Sequence, residues 1–276
     1  MTQALVHGKL TPGAFARLRL ILSTYQDGTG HEHAANGTTI PGFRQFERAL
    51  AVAVGGSAPE NKKIFDVLVP APDGKQLGIS CKMREELNSV DRNGYVYIEV
   101  SNARAQFVHH LNQIGIHDVS QYRSRPRDTG IQILDWIRHL HNVEESGRRV
   151  DLENSTYLVL LYSKKTSEFQ LFQYRCDLFI SDAGQFDWSV PQYVDKEGNP
   201  HHREHLCGEK DGIRYVQWFW AAGHLKFFPR VQNATWKSEK FMLEPLPNTE
   251  LTIVDKAKDY FPEQWQQACD DTEPID

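Results

Sequence analysis

Apolar residues recur at helical spacing in the N-terminal half of the chain and at strand spacing in the C-terminal half. The helical spacing predicts helices over 14–25, 43–54 and 129–142, and a short closing helix around Pro262. Concentrations of β-branched and aromatic residues predict strands at 157–162, 169–174, 215–220, 225–228 and 240–243. This order of elements predicts an α/β protein with a β-rich C-terminal half.

A β-hairpin is predicted where two apolar runs flank a Pro-Asp-Gly turn at 72–74. The first run, 64–70, contains Asp66, and the second run, 76–83, contains Lys82. Both runs are rich in residues that favour strands. The two charged side chains therefore belong to adjacent, antiparallel strands.

The register of this hairpin decides how close the two charges come. A turn centred on Gly74 would place Asp66 opposite Lys82, and Leu68 opposite Ser80. Directly opposed side chains lie ~5 Å apart. A carboxylate and an ammonium at that separation can share one metal ion and one water. The alternative is an exposed ion pair between strands, which contributes little stability.

Two glutamates are further candidate ligands. Glu47 falls at the rim of the predicted buried face of helix 43–54, where it either faces a metal or extends its carboxylate into water. Glu99 lies in the segment 95–100, which is strand-like in composition, although its apolar spacing also fits an early start of the following helix. Alternatively, Glu99 lies just before the N-cap residue Ser101, where a negative charge interacts favourably with the dipole of the following helix.

Composition and length exclude some functions and leave others open. The chain has 276 residues, 31 of them basic and 36 acidic, and a formal net charge of −5. A passive nucleic-acid coat protein is typically basic, whereas an enzyme with a locally basic cleft can be acidic overall. We expect one elaborated domain over 1–276, with a core over about 43–175 and a β-rich extension over about 176–250.

The N-terminus and the cysteines indicate a reducing compartment. The first residues lack the apolar core of a signal peptide, and no apolar run approaches the ~20 residues of a membrane span. No CxxC pair occurs, which argues against a zinc ribbon or a disulfide framework. We therefore expect a soluble cytoplasmic protein without membrane association.

Several polar segments could contact a ligand. Arg123, Arg125 and Arg127 alternate through a predicted loop, where they could grip phosphates or read guanine edges; a solvated loop is the alternative. The polar segment 30–39 is another candidate DNA contact, whereas Lys164 is expected in a solvated hairpin turn.

Histidines and aromatic residues of the C-terminal half have simpler explanations. Four potential zinc ligands crowd one short segment, without a second pair at zinc spacing: His201, His202, His205 and Cys207. Zinc binding is therefore a minor alternative. Four aromatic residues are expected in the core, with base stacking as the alternative: Trp218, Trp220, Phe227 and Phe228.

The combination of hairpin and glutamates resembles the PD-(D/E)XK nuclease family, in particular type II restriction endonucleases. In that family an Asp begins the second core strand and an acidic-x-Lys tripeptide ends the third. Asp66 matches the first position and Ser80-Cys81-Lys82 the tripeptide. Ser80 stands where the family has Asp or Glu, and Phe65 stands where Pro precedes the Asp.

A subgroup of these enzymes, whose members often cut sites containing CCGG, has this Ser-x-Lys form. In the subgroup a glutamate further along the chain supplies the missing carboxylate, and Glu99 resembles it. The subgroup also carries a glutamate on the helix before the hairpin, which Glu47 resembles. The resemblance covers residues 43–111. It implies a restriction-endonuclease-like core, which is a central mixed sheet flanked by helices.

The resemblance also implies roles for individual residues. Asp66 and Glu99, with the backbone carbonyl of Cys81, would bind Mg²⁺. Lys82 would position the attacking water. Glu47 would support these residues without contacting the metal, or would bind a second metal. The implied DNA contacts are Arg84, Arg92, Arg123, Arg125 and Arg127.

The implied reaction is Mg²⁺-dependent, sequence-specific cleavage of double-stranded DNA. It would leave 5′-phosphate and 3′-hydroxyl ends. The implied assembly is a homodimer that matches a palindromic site. Two alternatives stay open: a non-catalytic DNA-binding or interaction module, and a DNA-repair nuclease on the same core.

Overall fold

The computed structural model describes the chain except for residues 1–3, 7, 38, 61–63, 72, 102–103, 142–143, 146–147, 179, 181, 203–204, 220–223, 247–252 and 271–276. The chain forms two compact units. The first unit comprises Met1–Gly94, Glu144–Cys176 and Val231–Asp276, and the second comprises Tyr95–Val143 and Asp177–Arg230. The predicted core and extension follow the chain linearly, whereas both units are discontinuous in sequence. None of the helices in the described part of the chain has the length and apolar character that a membrane span needs.

In the described part of the chain, the α-helices lie before residue 142 and after residue 252, and the segment between them contains strands and 3-10 turns. The α-helices are α1 (Pro12–Ser23), α2 (Phe43–Val54), α3 (Leu87–Asn93), α4 (Arg104–Gln113), α5 (Val119–Ser124), α6 (Pro126–His141), α7 (Ile253–Tyr260) and α8 (Pro262–Asp270). Short 3-10 turns lie at Thr24–Asp27, Cys176–Leu178, Ala183–Gln185 and Val231–Asn233.

The strands are short except in the two main sheets. They are β1 (Leu5–Val6), β2 (Lys9–Leu10), β3 (Glu32–His33), β4 (Thr39–Ile40), β5 (Val67–Pro70), β6 (Gln76–Arg84), β7 (Ile98–Ser101), β8 (Glu144–Glu145), β9 (Arg148–Arg149), β10 (Thr156–Tyr162), β11 (Glu168–Arg175), β12 (Asp187–Ser189), β13 (Gln192–Val194), β14 (Pro200–His202), β15 (His205–Lys210), β16 (Ile213–Phe219), β17 (His224–Phe227), β18 (Trp236–Lys237) and β19 (Phe241–Met242).

The main sheet of the first unit is mixed. Its order is β18–β11–β10–β6–β5, and β19 also pairs with β11. β6 is antiparallel to β5 and parallel to β10, while β10 is antiparallel to β11. The predicted α/β class with a mixed central sheet is therefore confirmed.

Helix α2 packs on one face of this sheet. Its apolar side chains, among them Phe46 and Leu50, are fully buried and share a core with Ile79 and Cys81 of β6. The helix ends at Gly55, whose φ of +67° is a left-handed conformation that glycine adopts without strain. The sequence predicted these bounds correctly because the apolar spacing is regular over all three turns.

The second unit contains an antiparallel five-stranded sheet in the order β12–β15–β16–β17–β7. One face is fully buried and includes Trp218 and Phe227. The ring of Tyr122 in α5 lies edge-on to Trp218, with 5.9 Å between ring centroids. A Cβ placed on Gly130 of α6 would lie 2.1 Å from the Trp188 ring, so glycine lets this helix approach the sheet closely.

Three predictions of local structure are wrong. The charged composition of segment 84–94 predicts a loop, but the segment contains α3, whose buried side chains, Leu87 and Val90, are too few to give a periodic signal. The predicted loop 121–127 is the junction of α5 and α6. Phe228 is partly exposed rather than in the core, whereas Trp220 lies outside the described residues.

Candidate active site

The hairpin forms as predicted, but its register differs. Leu68 lies opposite Gly78, not opposite Ser80. Val67 lies opposite Ile79, and if the same register continues by one residue, Asp66 lies beside Ser80. The prediction that Asp66 faces Lys82 is therefore wrong by two residues.

The geometry of the turn explains the difference. The Ala71 N–H donates to the Lys75 carbonyl at 3.0 Å, so these two residues close the turn. The Gly74 N–H donates to the Ala71 carbonyl at 3.1 Å, and Gly74 has a φ of +81°. The chain therefore reverses around Asp73. Gly74 takes the left-handed position after the bend, as in a three-residue hairpin loop.

The Asp66 carboxylate is anchored to the neighbouring strand. Asp66 is 8% exposed, and its Oδ2 accepts a hydrogen bond from the Cys81 N–H at 2.7 Å. The Ser80 hydroxyl donates to the same oxygen at 3.4 Å. The Asp66 N–H donates to the Ile79 carbonyl at 2.9 Å, which extends the ladder by one residue. A buried carboxylate is thus fixed beside the first two residues of the Ser-Cys-Lys tripeptide.

Lys82 follows on the same face of β6 as Ser80, because side chains alternate along a strand. Its neighbours on the parallel strand β10 are apolar, and Val159 is its direct partner. Lys82 is partly exposed, and no other described residue forms a hydrogen bond or an ion pair with its ammonium. An ammonium in this position is available to an anionic ligand.

The other two predicted carboxylates lie on other elements of the structure. Glu47 is 8% exposed on α2, which covers the Cys81 face of the sheet, whereas Ser80 and Lys82 point to the opposite face. Glu99 lies in β7 of the second unit. Because each unit is described by itself, the assignment of Glu99 to the Asp66 site stays a prediction.

Glu99 has defined partners within its own unit. Its carboxylate accepts a hydrogen bond from the Tyr97 hydroxyl and contacts His224 Nδ1 at 3.0 Å. Lys226 lies directly opposite it on β17. Ile98 is fully buried on the other face, so this part of the segment is a strand, as its composition predicts, and not an early start of the following helix.

A polar network that sequence analysis missed lies at the carboxyl end of the parallel strands β6 and β10. Lys164, in the turn after β10, pairs with Glu32 at 2.8 Å and with Glu85 at 3.0 Å. The Tyr162 hydroxyl donates to Glu32 at 2.8 Å. The prediction of a hairpin turn at Lys164 is right, but the expectation that its side chain is simply solvated is wrong.

The network shifts the titration of its members. The hydrogen bond from Lys164 lowers the pKa of the Glu32 carboxyl, and the same bond raises the pKa of Lys164. Burial, with the hydrogen bond to Glu32, raises the pKa of Tyr162 well above its usual value. At neutral pH Lys164 is therefore a fixed positive charge between two carboxylates.

The predicted DNA-contacting arginines fall on helices or at strand ends. Arg125 is the residue between α5 and α6, and its guanidinium pairs with Asp128 at 3.2 Å. Arg123 lies in the last turn of α5, and Arg127 lies in the first turn of α6. Arg84 ends β6, and Arg92 lies in the last turn of α3. Their contacts with DNA stay predictions.

Within the ranges described above, no three His, Cys, Asp or Glu side chains are grouped so that they could hold a metal ion. In the histidine-rich segment, His201 Nε2 contacts Asp195 at 2.7 Å. The donor chemistry at the hairpin nevertheless suits Mg²⁺, which typically binds through one or two carboxylates, several waters and substrate phosphates.

Comparison with known proteins adds no relative. No protein-family model, no curated protein and no solved structure matches the chain. The choice among functions therefore depends on the residues and contacts described above.

Proposed function

We propose that the protein is a Mg²⁺-dependent endonuclease that cuts double-stranded DNA at specific sites. The observation that carries this proposal is a buried, anchored carboxylate beside a strand that offers an available ammonium one side-chain step further along the same face. Asp66 is held on Ser80 and Cys81, and the Lys82 ammonium has no ion-pair partner in the described structure. Cleavage would leave 5′-phosphate and 3′-hydroxyl ends.

The corrected register supports the proposal. Two ligand positions that share a metal must be neighbours, so the strand-initiating Asp should lie beside the first residue of the tripeptide. Asp66 lies beside Ser80, the position at which the resemblance places an acidic residue. Lys82 then follows one step further along the same face, at the distance of the next side-chain pair.

Each residue has a defined task in phosphodiester hydrolysis. Asp66 supplies the hard oxygen ligand that would hold Mg²⁺. When bound, Mg²⁺ would neutralise the charge that develops on the phosphate oxygens. Lys82 binds a non-bridging phosphate oxygen and orients the attacking water.

The simplest test is digestion of a plasmid of known sequence with Mg²⁺ or Mn²⁺, with EDTA as the control. We expect discrete fragments with mappable ends and no cleavage in EDTA. Intact plasmid under every divalent cation would refute the proposal. A gel shift without cleavage would instead favour a DNA-binding module, and cutting restricted to flaps or ends would favour a repair nuclease.

The substitution Asp66→Asn separates catalysis from folding. An amide oxygen can still accept the Cys81 N–H, so we expect an unchanged unfolding midpoint. The lost negative charge weakens metal binding, so we expect cleavage to fall by about 10²-fold or more. A variant that folds normally and cuts normally would leave Asp66 with a purely structural role.

The assembly and the compartment are further parts of the proposal. A restriction-type enzyme that cuts both strands of a palindrome is a two-fold dimer, so we propose a homodimer in the cytoplasm. Light scattering after gel filtration, with and without a duplex that carries the mapped site, measures the number of chains per complex.

A further inference from the structure

The five-stranded sheet of the second unit has one buried face and one face rich in partly exposed aromatic rings. Along β17, Leu225 and Phe227 are fully buried, whereas the alternating residues His224 and Lys226 are partly exposed. The rings on the second face, which we call the ring face, are contributed by His205, Tyr215, Phe219, Tyr95, Tyr97 and Phe228. All six residues are partly exposed.

Neighbouring rings on this face contact one another. The Phe228 ring centroid lies 5.5 Å from that of Tyr95 and 5.7 Å from that of Tyr97. The His205 and Phe219 centroids are 4.9 Å apart. The rings thus span β15, β16, β17 and the segment that leads into β7.

Two cations complete the ring face. Lys226 Nζ lies 4.6 Å from the Phe219 ring centroid and 5.0 Å from that of Tyr97, so it bridges the two groups of rings. The Arg230 guanidinium lies 5.6 Å from the Tyr95 ring and 6.0 Å from the Tyr215 ring. Contacts of this kind hold a cation over the face of a ring without neutralising its charge.

Polar residues flank Lys226 on both neighbouring strands. Glu99 lies directly opposite it on one side and Gln217 on the other. The Glu99 carboxylate is itself held by the Tyr97 hydroxyl and by His224. The ring face is therefore an arrangement of rings and cations whose positions are set by the register of the sheet.

The position of the cations indicates what kind of ligand fits. The centre of a protein–protein interface is depleted of charged residues, which lie at its rim. On the ring face, Lys226 lies between rings instead. Rings interleaved with cations match a polymer of planar bases and phosphates, because bases stack on the rings and phosphates approach the cations.

We propose that the ring face binds the unstacked bases of a nucleic-acid strand, either single-stranded or locally opened. Phe219, Tyr97 and Phe228 provide the stacking surfaces, and Lys226 and Arg230 bind the phosphates. This inference rests on the proposed function for the choice of nucleic acid as the ligand. It adds a surface that is separate from the Asp66 hairpin in the sequence and in the division into units.

The test measures binding of a fluorescein-labelled 20-nucleotide DNA strand by fluorescence anisotropy, in EDTA so that cleavage plays no part. We expect Phe219→Leu, which keeps an apolar side chain but removes the ring, to weaken binding about fivefold or more. Lys226→Gln should weaken binding and reduce the slope of log affinity against log salt by about 0.7, because one phosphate contact is lost. Tyr193→Ala is the matched control and should bind normally, because Tyr193 is an exposed aromatic residue on β13, which among the described strands pairs only with β14 and is not a strand of the five-stranded sheet.

Wild-type affinity in both ring-face variants, with normal circular dichroism spectra, would overturn the inference. So would a change in oligomeric state without a change in oligonucleotide binding, because the face would then dock a protein chain. The outcome is independent of cleavage. Ring-dependent binding by a protein that never cuts DNA would refute only the proposed function, and ring-independent binding by an active nuclease would refute only this inference.

Discussion

The two main sheets expose different parts of their surface. In the first unit, all seven residues of β10 are buried, because the strand is central in its sheet and covered on both faces. In the second unit, β17 alternates buried and partly exposed residues. A sheet of the first kind can present functional groups only at its strand ends, whereas a sheet of the second kind can present them on a face. The candidate functional groups follow this difference. Asp66 precedes β5, Lys82 lies near the end of β6, and the Lys164 network lies at the ends of β6 and β10. The rings of the second unit lie on a face of its sheet.

The largest effect is expected from Lys82, at a strand end of the first unit. Lys82→Ala should reduce cleavage by about 10²- to 10³-fold, because an electrostatic contact to the phosphate is lost. Duplex binding and the unfolding midpoint should change little. Lys75→Ala is the control, since Lys75 lies at the tip of the same hairpin and pairs with Asp73. Equal cleavage rates in the two variants would remove Lys82 from the mechanism.

Substitution of Glu99 tests whether a residue of the five-stranded sheet in the second unit takes part in DNA cleavage. Glu99→Gln keeps an acceptor for the Tyr97 hydroxyl but removes a carboxylate charge. If Glu99 is a metal ligand, as the resemblance implies, cleavage should fall by about 10²-fold. Glu86→Gln should keep most of the activity. The opposite pattern of rates would mean that the wrong glutamate was identified.

The difference in burial between the sheets predicts a difference in stability. Leu160→Ala in β10 should lower the free energy of unfolding by about 2–5 kcal/mol, because it leaves a cavity in a core that is closed on both sides. His224→Gln on β17 should change it by less than about 0.5 kcal/mol, since the His224 side chain is 43% exposed. Urea unfolding followed by circular dichroism measures both. Similar losses of unfolding free energy in the two variants would show that the two sheets do not differ in burial as described.

The smallest expected effect is the pH dependence of the stability that the Glu32–Lys164 pair contributes. The pKa of Glu32 is lowered from its ordinary value of 4.5, so its bond with Lys164 stabilises the fold above that pH. The stabilisation is lost as pH falls through the lowered value, because the folded protein then takes up the proton. Glu32→Gln should therefore destabilise the protein at neutral pH by less than about 1 kcal/mol, since the pair is partly exposed.

The pH dependence provides the control for this prediction. The difference between wild type and Glu32→Gln should shrink towards zero once the pH has fallen below the lowered pKa of Glu32, where the side chain at this position is neutral in both proteins. A difference that persists at low pH would show that the stabilisation comes from packing rather than charge. Urea midpoints measured at a series of pH values decide between the two.

Local pattern was enough to predict some parts of this structure. Helix α2 follows from regular apolar spacing between two glycines, and the hairpin follows from its turn residues. The hairpin register was misjudged because the position of the closing pair, Ala71 and Lys75, depends on hydrogen bonds that composition does not specify.

Other parts depend on contacts between distant segments. The Lys164 network requires the parallel pairing of β6 with β10, and Glu32 comes from a separate hairpin. The ring face was missed for a different reason. The aromatic composition predicts that Phe227 and Phe228 both lie in the core, although adjacent residues of a strand point to opposite faces. The exposure of Phe228 follows from that alternation once the strand is known.

The discontinuity of the two units has a consequence for synthesis on the ribosome. The main chain passes between the units four times, and the last segment of the first unit, Val231–Asp276, follows the last segment of the second. Every residue of the second unit therefore leaves the exit tunnel before helices α7 and α8 can dock on α1. The nascent chain must keep the incomplete mixed sheet from aggregating until then, and neither unit can be expressed by truncating the gene at a single point.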